Sequence, residues 1–228
     1  CKVSIQTSFP VSMELFTSYR EIATDQSKAG KVMRTILMRL GSEVYEQICL
    51  AAASADEDRG TAIYYVLHRA FGGGRCEKRV MEALADPYVS RVAKLALCVK
   101  REYHHYFGFV RFREIGGRFL LAKIQPGNDI LSLMALHFSN RFPNENWVIY
   151  DEKRQKALCH EKGKECVMRK GVRIQVPGSA VGDMGEYEEL WQTFCDSISI
   201  EARRNEKLQK QMLALHFRSN MPEFSVKG

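Results

Sequence analysis

Val32, Ile36 and Leu40, then Val44, Ile48 and Ala52, recur at helical spacing between Ser27 and Ala53. The break near Gly41-Ser42 divides that stretch into two helices. A third helix is expected from about Glu57 to Phe71. Gly72-Gly73-Gly74 ends it, because glycine readily adopts the left-handed geometry that closes helices. A short helix follows at 76–85. Asp86-Pro87 then offers an N-cap with proline at the first helical position, and Val89, Val92, Ala96, Val99 and Tyr103 form the next apolar stripe. Ahead of these helices, Lys2 to Gln6 reads as a short strand.

Beyond Tyr103 the period shortens to two. Tyr106 to Phe112, the pair Gly116-Gly117, and Arg118 to Ile124 read as a β-hairpin, since Gly-Gly between strand-forming runs marks a tight two-residue loop. Alternation puts Phe109, Arg111 and Arg113 on one face with Ile124, Ala122 and Leu120 opposite them. Val110 and Phe112 look the other way with Leu121 and Lys123. Asn128-Asp129 is then read as the cap of a helix running through Phe142, where Pro143 blocks continuation. Trp147 to Tyr150, the turn Asp151 to Arg154, Lys156 to His160, and Glu165 to Arg169 form a three-stranded antiparallel meander. After the Pro177-Gly178 loop, helices from about Gly185 to Ser197 and from Glu201 to Arg218 close the chain.

These elements predict an α+β fold, an antiparallel sheet of hairpin plus meander packed by N-terminal and C-terminal helices. One domain is expected across 1–228, with a helical part over about 25–105 and the sheet and C-terminal helices over about 106–224. Ala135-Leu136-His137-Phe138 recurs as Ala214-Leu215-His216-Phe217. The two copies read as helix ends solving one packing problem, since a duplication would carry more matching sequence.

At 228 residues, 45% hydrophobic and 27% charged, the chain has the composition of a globular protein and not of a disordered one. The formal charge of +7 and pI near 9.0 favour an anionic partner. No apolar run approaches the roughly 20 residues that cross a bilayer, so no membrane partner is expected and a cytoplasmic location is. Seven scattered cysteines are expected to be reduced thiols. The first residue is Cys1 and not methionine, which suggests that residues precede it.

Chemistry is declared weakly. Phe107-Gly108-Phe109-Val110-Arg111-Phe112 matches part of the RNA-recognition-motif signature, but His105 and Tyr106 stand where that signature has a basic residue and glycine. On the last helix Arg203, Lys207 and Lys210 lie at i, i+4, i+7, away from the stripe of Leu208, Met212 and Leu215. Cys159-His160 with Cys166 lacks the spacing of zinc ligands, and no motif for a nucleotide, a cofactor or a serine hydrolase occurs, so neither metal nor cofactor is expected. His104, with Glu102 as neighbour, and Asp151 are the acid/base candidates.

The run Glu102-Tyr103-His104 through Arg113, then His137 to Phe142, Trp147 to Asp151 and Lys153-Arg154, resembles an uncharacterised bacterial DNA-metabolism family. Leu190-Trp191-Gln192-Thr193-Phe194 and Ser219-Asn220-Met221-Pro222-Glu223 are similar to the end of the same domain. That domain is also found fused to uracil-DNA glycosylases of the uracil-binding type; as a separate protein it is encoded beside a radical-SAM DNA repair protein. Where the fused form places a threonine-proline turn and a tryptophan, this chain has Tyr150 to Arg154, which points to the stand-alone branch. His105 stands where that branch tends to carry arginine.

The expectation is therefore a nucleic-acid-binding accessory of a radical-SAM DNA repair or modification enzyme. Arg111, Arg113, Arg141, Arg154, Arg203 and Lys207 are the expected phosphate contacts, with Phe109, Trp147 and Trp191 as stacking or core residues. Two alternatives stay open. One is a lesion-directed base-excision enzyme using His104 and Asp151; the other is a protein-interaction module that never touches DNA.

Overall fold

A computed structural model describes residues 3–7, 15–72, 79–117, 119–174, 207, 211–213, 215–218, 221 and 224. The chain divides into two compact units, Cys1–Arg101 and Glu102–Gly228.

The first unit is helical: α1 (Gln26–Leu40), α2 (Ser42–Ala53), α3 (Arg59–Gly72), a 3-10 turn (Val80–Glu82) and most of α4 (Pro87–Phe109). Gly41, at φ 95°, separates α1 from α2 in a geometry that a side chain would strain. Asp25 caps α1 by accepting the Lys28 N–H. Asp86 caps α4 by accepting from the N–H groups of Tyr88 and Val89 and from Arg69. Burial alone would raise the Asp86 carboxyl, but these donors outweigh it and hold the group below its ordinary value. The expected N-terminal strand is not a strand. Residues 3–7 instead lie against α3, where Val3 N–H donates to the Tyr65 hydroxyl and Ile5 N–H to Thr61 Oγ1. Gly60 leaves room for this approach, since a Cβ there would come within 3.0 Å of Ile5. Of the expected 76–85 helix, residues 79–85 are described, and their only helical part is the 3-10 turn.

The second unit is a five-stranded sheet in the order β1-β2-β3-β4-β5, from β1 (Arg113–Ile115), β2 (Phe119–Ile124), β3 (Trp147–Asp151), β4 (Lys156–His160) and β5 (Val167–Lys170), with α5 (Leu131–Arg141) between β2 and β3. A short helix, α6 (Leu215–Arg218), belongs to the same unit. The fold is α+β, but the sheet is not purely antiparallel. β2 and β3 pair in parallel, because α5 is the crossover that returns the chain to the same end of the sheet.

The expected first hairpin strand is mostly helix. α4 continues to Phe109 because Val99, Tyr103 and Tyr106 keep helical spacing, and Tyr103 meets Phe107 one turn on at 5.2 Å. The remaining hairpin pairs Ile115 with Phe119 and Arg113 with Leu121. Its loop is one residue longer than the two-residue form, so Arg113 faces Leu121 and not Leu120; a slip of one residue exchanges faces.

One sheet face carries Trp147, Ile149, Leu158, Ala122 and Ile124, all buried, as are Leu131, Met134 and Phe138 of α5, which packs on β4. The other face holds Ile115, Leu121, Tyr150 and Ala157 under Val172 and Ile174, and the Tyr150 hydroxyl donates to the Val172 carbonyl at 2.9 Å. The repeated Ala-Leu-His-Phe segments both meet the end of α4. His137 stacks on Phe107 at 3.9 Å, and Phe217 meets Tyr106 at 4.8 Å and Phe109 at 5.1 Å.

Candidate functional site

Polar side chains gather at one end of the sheet, where parallel β2 and β3 finish. Glu102 and Tyr106 sit one turn apart on α4 and so share a face. The Glu102 carboxylate accepts from the N–H groups of Gly127 (2.6 Å) and Asn128 (3.0 Å) and from Asn128 Nδ2 (2.6 Å). From the other side Arg154 donates to the carbonyls of Pro126 (2.9 Å) and Gly127. A carboxylate and a guanidinium thus hold the 125–129 loop at both its donors and its acceptors.

Asp151, at the end of β3, is fully buried. It accepts from the Arg154 N–H at 3.0 Å and from Arg154 Nη1 at 3.1 Å. This is a buried pair with further hydrogen bonds on the guanidinium, the arrangement that a buried charge requires. Gln155, at φ 50°, completes the turn into β4. Tyr106 is buried near these groups. Burial pushes its phenol far above the ordinary range, the Glu102 and Asp151 carboxylates push it further, and a backbone hydrogen bond with Gln125 and the Arg154 cation oppose them.

The strand register extends this end into a row, Ile124, Asp151, Lys156 and Lys170, one residue from each of four adjacent strands. Directly paired residues share a face, so Lys156 and Lys170 stand opposite each other. Asp129 accepts from Lys156 Nζ. Expected to cap α5, Asp129 does not: the N-cap position is Ile130, without a side-chain cap bond. Asn128 is engaged by Glu102. Past the row, the Val172 N–H donates to the Gln155 carbonyl, which brings exposed Arg173 beside the β3–β4 turn and its exposed Lys153. Arg169 and Lys170 are exposed on edge strand β5.

The residues singled out from sequence divide between this end and elsewhere. Asp151 and Arg154 belong to it, as partners of each other. Arg154 therefore points inward and is not placed to meet a phosphate. His104 is exposed on α4, with Tyr103 and Phe107 as ring neighbours at 6.0 and 5.6 Å, and is not part of the Asp151 network. Half-buried Arg111 donates to the Gly108 carbonyl at 2.8 Å, where it caps the end of α4. Arg113 is exposed on β1, Arg141 is exposed at the end of α5 over the Phe142 ring (5.6 Å), and Lys207 is exposed. Phe109 packs on Phe217. Trp147 is fully buried and stacks on His160 at 5.1 Å, so it is a core residue and not a platform for a base. Arg203 and Trp191 lie outside the described residues.

The row residues Lys156 and Lys170, together with Asp129 and Tyr106, were missed as a group. The signal for Tyr106 was its spacing from Glu102; the pairing of the two lysines depends on register, which composition does not reveal. Cys159 and His160 point to opposite faces, and Cys166 Sγ instead shares a hydrogen bond with Ser139 Oγ at 3.0 Å. Burial raises the Cys159 thiol above its ordinary value, with Cys166 adding to the rise and Arg169 opposing it. Among the described residues no group of three or more His, Cys, Asp or Glu is placed to hold a metal ion, and no helix is long and apolar enough to cross a membrane.

A family model, a domain of unknown function designated DUF4130, matches residues 57–223. The chain belongs to the DUF4130 family. No curated protein and no solved structure matches it. The DUF4130 match takes in α3 and everything through α6, so the polar end of the sheet lies wholly within the family domain, whereas α1 and α2 precede it.

Proposed function

We propose that this DUF4130 protein binds nucleic acid, DNA foremost, along the cationic margin of β5 and the β3–β4 turn, as an accessory of a radical-SAM DNA repair or modification enzyme. The observation that carries the binding reading is the facing pair Lys156 and Lys170, with exposed Arg173 and Lys153 near by and Arg169 on the opposite face of the same edge strand. Like charges directly opposite each other in a sheet are destabilising, so a polyanion that neutralises them is the natural partner. The nearby carboxylates are already engaged: Asp151 by Arg154, Asp129 by Lys156, and Glu152 by Gln125 and Lys123. Lys153, Arg169, Lys170 and Arg173 have no carboxylate partner among the described residues. Between residues 102 and 174 there are thirteen Lys and Arg against eight Asp and Glu, so the segment that builds the sheet is itself basic. The radical-SAM partnership draws support from the motif resemblance alone.

The test is a fluorescence-anisotropy titration with labelled single-stranded and duplex oligonucleotides, with and without the radical-SAM protein. Affinity is expected to fall steeply between about 50 and 200 mM salt, because each neutralised phosphate releases counterions. Binding that is absent at low salt, or indifferent to salt, rejects the reading.

A second reading, docking to another protein, is favoured by α1. Its Val32, Met33, Leu37 and Met38 are 44–82% exposed beside Lys31 and Arg34. An apolar stripe left open on a helix is a common docking feature.

A further inference from the structure

We infer that Asp129 is a built-in competitor for phosphate: its carboxylate neutralises Lys156, and nucleic acid gains the full charge of that lysine only by displacing it. The inference rests on the nucleic-acid reading and specifies how that site is regulated. Three observations lead to it. Among the described residues Lys156 is the bonded partner of the Asp129 carboxylate, which performs no capping for α5. The pair is also reachable from solvent, with side chains 22% and 38% exposed. An ion pair in that setting contributes little net stability, so an incoming phosphate can replace it at small cost. Finally, Asp129 sits at the end of the loop that Glu102 and Arg154 fix from both sides. The carboxylate is therefore presented to Lys156 by a braced backbone.

The arrangement has a direct electrostatic consequence. While Asp129 holds Lys156, the row of Lys156 and Lys170 presents one net positive charge; once the carboxylate is neutralised it presents two. A phosphodiester oxygen and the Asp129 carboxylate are chemically alike as acceptors of an ammonium N–H, and they cannot occupy the same ammonium face together.

The experiment is a titration of labelled oligonucleotide at constant low salt into wild type, Asp129→Asn, Asp129→Glu and the double variant Asp129→Asn with Lys156→Gln, each melted alongside to verify folding. Asp129→Asn is expected to bind about fivefold more tightly, the factor that one charge at about 4 Å exerts in water, and with a salt slope steeper by about one phosphate contact. Asp129→Glu is expected to match wild type. The double variant is expected to lose the gain, since it removes one charge of each sign. A folded Asp129→Asn protein that binds no better than wild type, or a gain that survives loss of Lys156, overturns the competitor role while leaving the nucleic-acid reading in place. Failure of wild type itself to bind overturns both. Should Asp129→Asn not fold, Asp129→Ser provides the same comparison.

Discussion

Lys156 on β4 and Lys170 on β5 are direct cross-strand partners, two cations on one face at the end of a sheet where Arg154 engages Asp151 and Lys156 itself engages Asp129. A fold selected for stability alone would place an acid opposite one of them. Asp129 answers one lysine and leaves the other, and the proposed affinity of the margin for anions rests on this imbalance.

The bracing of the 125–129 loop predicts that Glu102→Ala is destabilising. Three N–H donors lose their acceptor, and leaving such groups unsatisfied costs about 1–3 kcal/mol. Urea denaturation of wild type and variant measures it. A change below about 0.5 kcal/mol would show that water replaces the carboxylate.

Trp147 separates a core role from a stacking one. It is fully buried, and its indole N–H has no hydrogen-bond partner among the described residues. Trp147→Phe is therefore expected to lose only packing volume, whereas Trp147→Ala is expected to cost about 3–5 kcal/mol. Near-equal losses in the two variants would point to a polar role for the indole that the structure does not contain.

Asp86 holds the start of α4 by accepting from two backbone N–H groups and Arg69. Asp86→Ala is expected to cost about 1 kcal/mol at neutral pH. The sign of the pH dependence follows from the depressed carboxyl: its stabilisation is complete above the unfolded value of 3.8 and is lost as pH falls through the lower folded value. The difference between wild type and variant in thermal melts should therefore shrink only in strong acid.

His137 gives the complementary case. Burial first, then the nearby Arg141 and His104, depress its imidazole below 6.5. The folded state takes up its proton later than the unfolded chain does, so stability is complete above 6.5 and declines as pH falls through the folded value. His137→Phe keeps a ring to stack on Phe107 and removes the titration, so its melting temperature should vary less between about pH 7 and about pH 5. A profile as steep as that of wild type would assign the decline to other groups.

Much of the helical half was legible because it depends on local spacing. Val89, Val92, Ala96 and Val99 form one buried stripe, Asp86-Pro87 starts α4, and glycine at 41 divides α1 from α2. The three meander strands were equally visible, from Trp147, Lys156 and the β-rich run after Cys166. What failed was decided at longer range. Tyr106 to Phe109 has strand-like composition, but Tyr106 is buried in the second unit as part of a helical stripe, and tertiary contact outweighs intrinsic preference. The parallel pairing of β2 with β3 needed knowledge that the hairpin and the meander are neighbours. Arg154 looked like a surface cation because its partners, Asp151 and the carbonyls of Pro126 and Gly127, lie in other segments or emerge only once the turn folds. Of the candidate site, sequence supplied Asp151 and the basic character of the meander, but not the register that sets lysine against lysine.

The most direct test of the central claim compares the salt dependence of oligonucleotide affinity for wild type and for a variant carrying Arg169→Glu and Lys170→Glu. If the β5 margin grips phosphates, the variant binds far more weakly and its plot of log affinity against log salt is flatter by about two contacts, near 0.9 each for duplex DNA. Equal affinity and equal slope in the two proteins, with both fully folded, would contradict it.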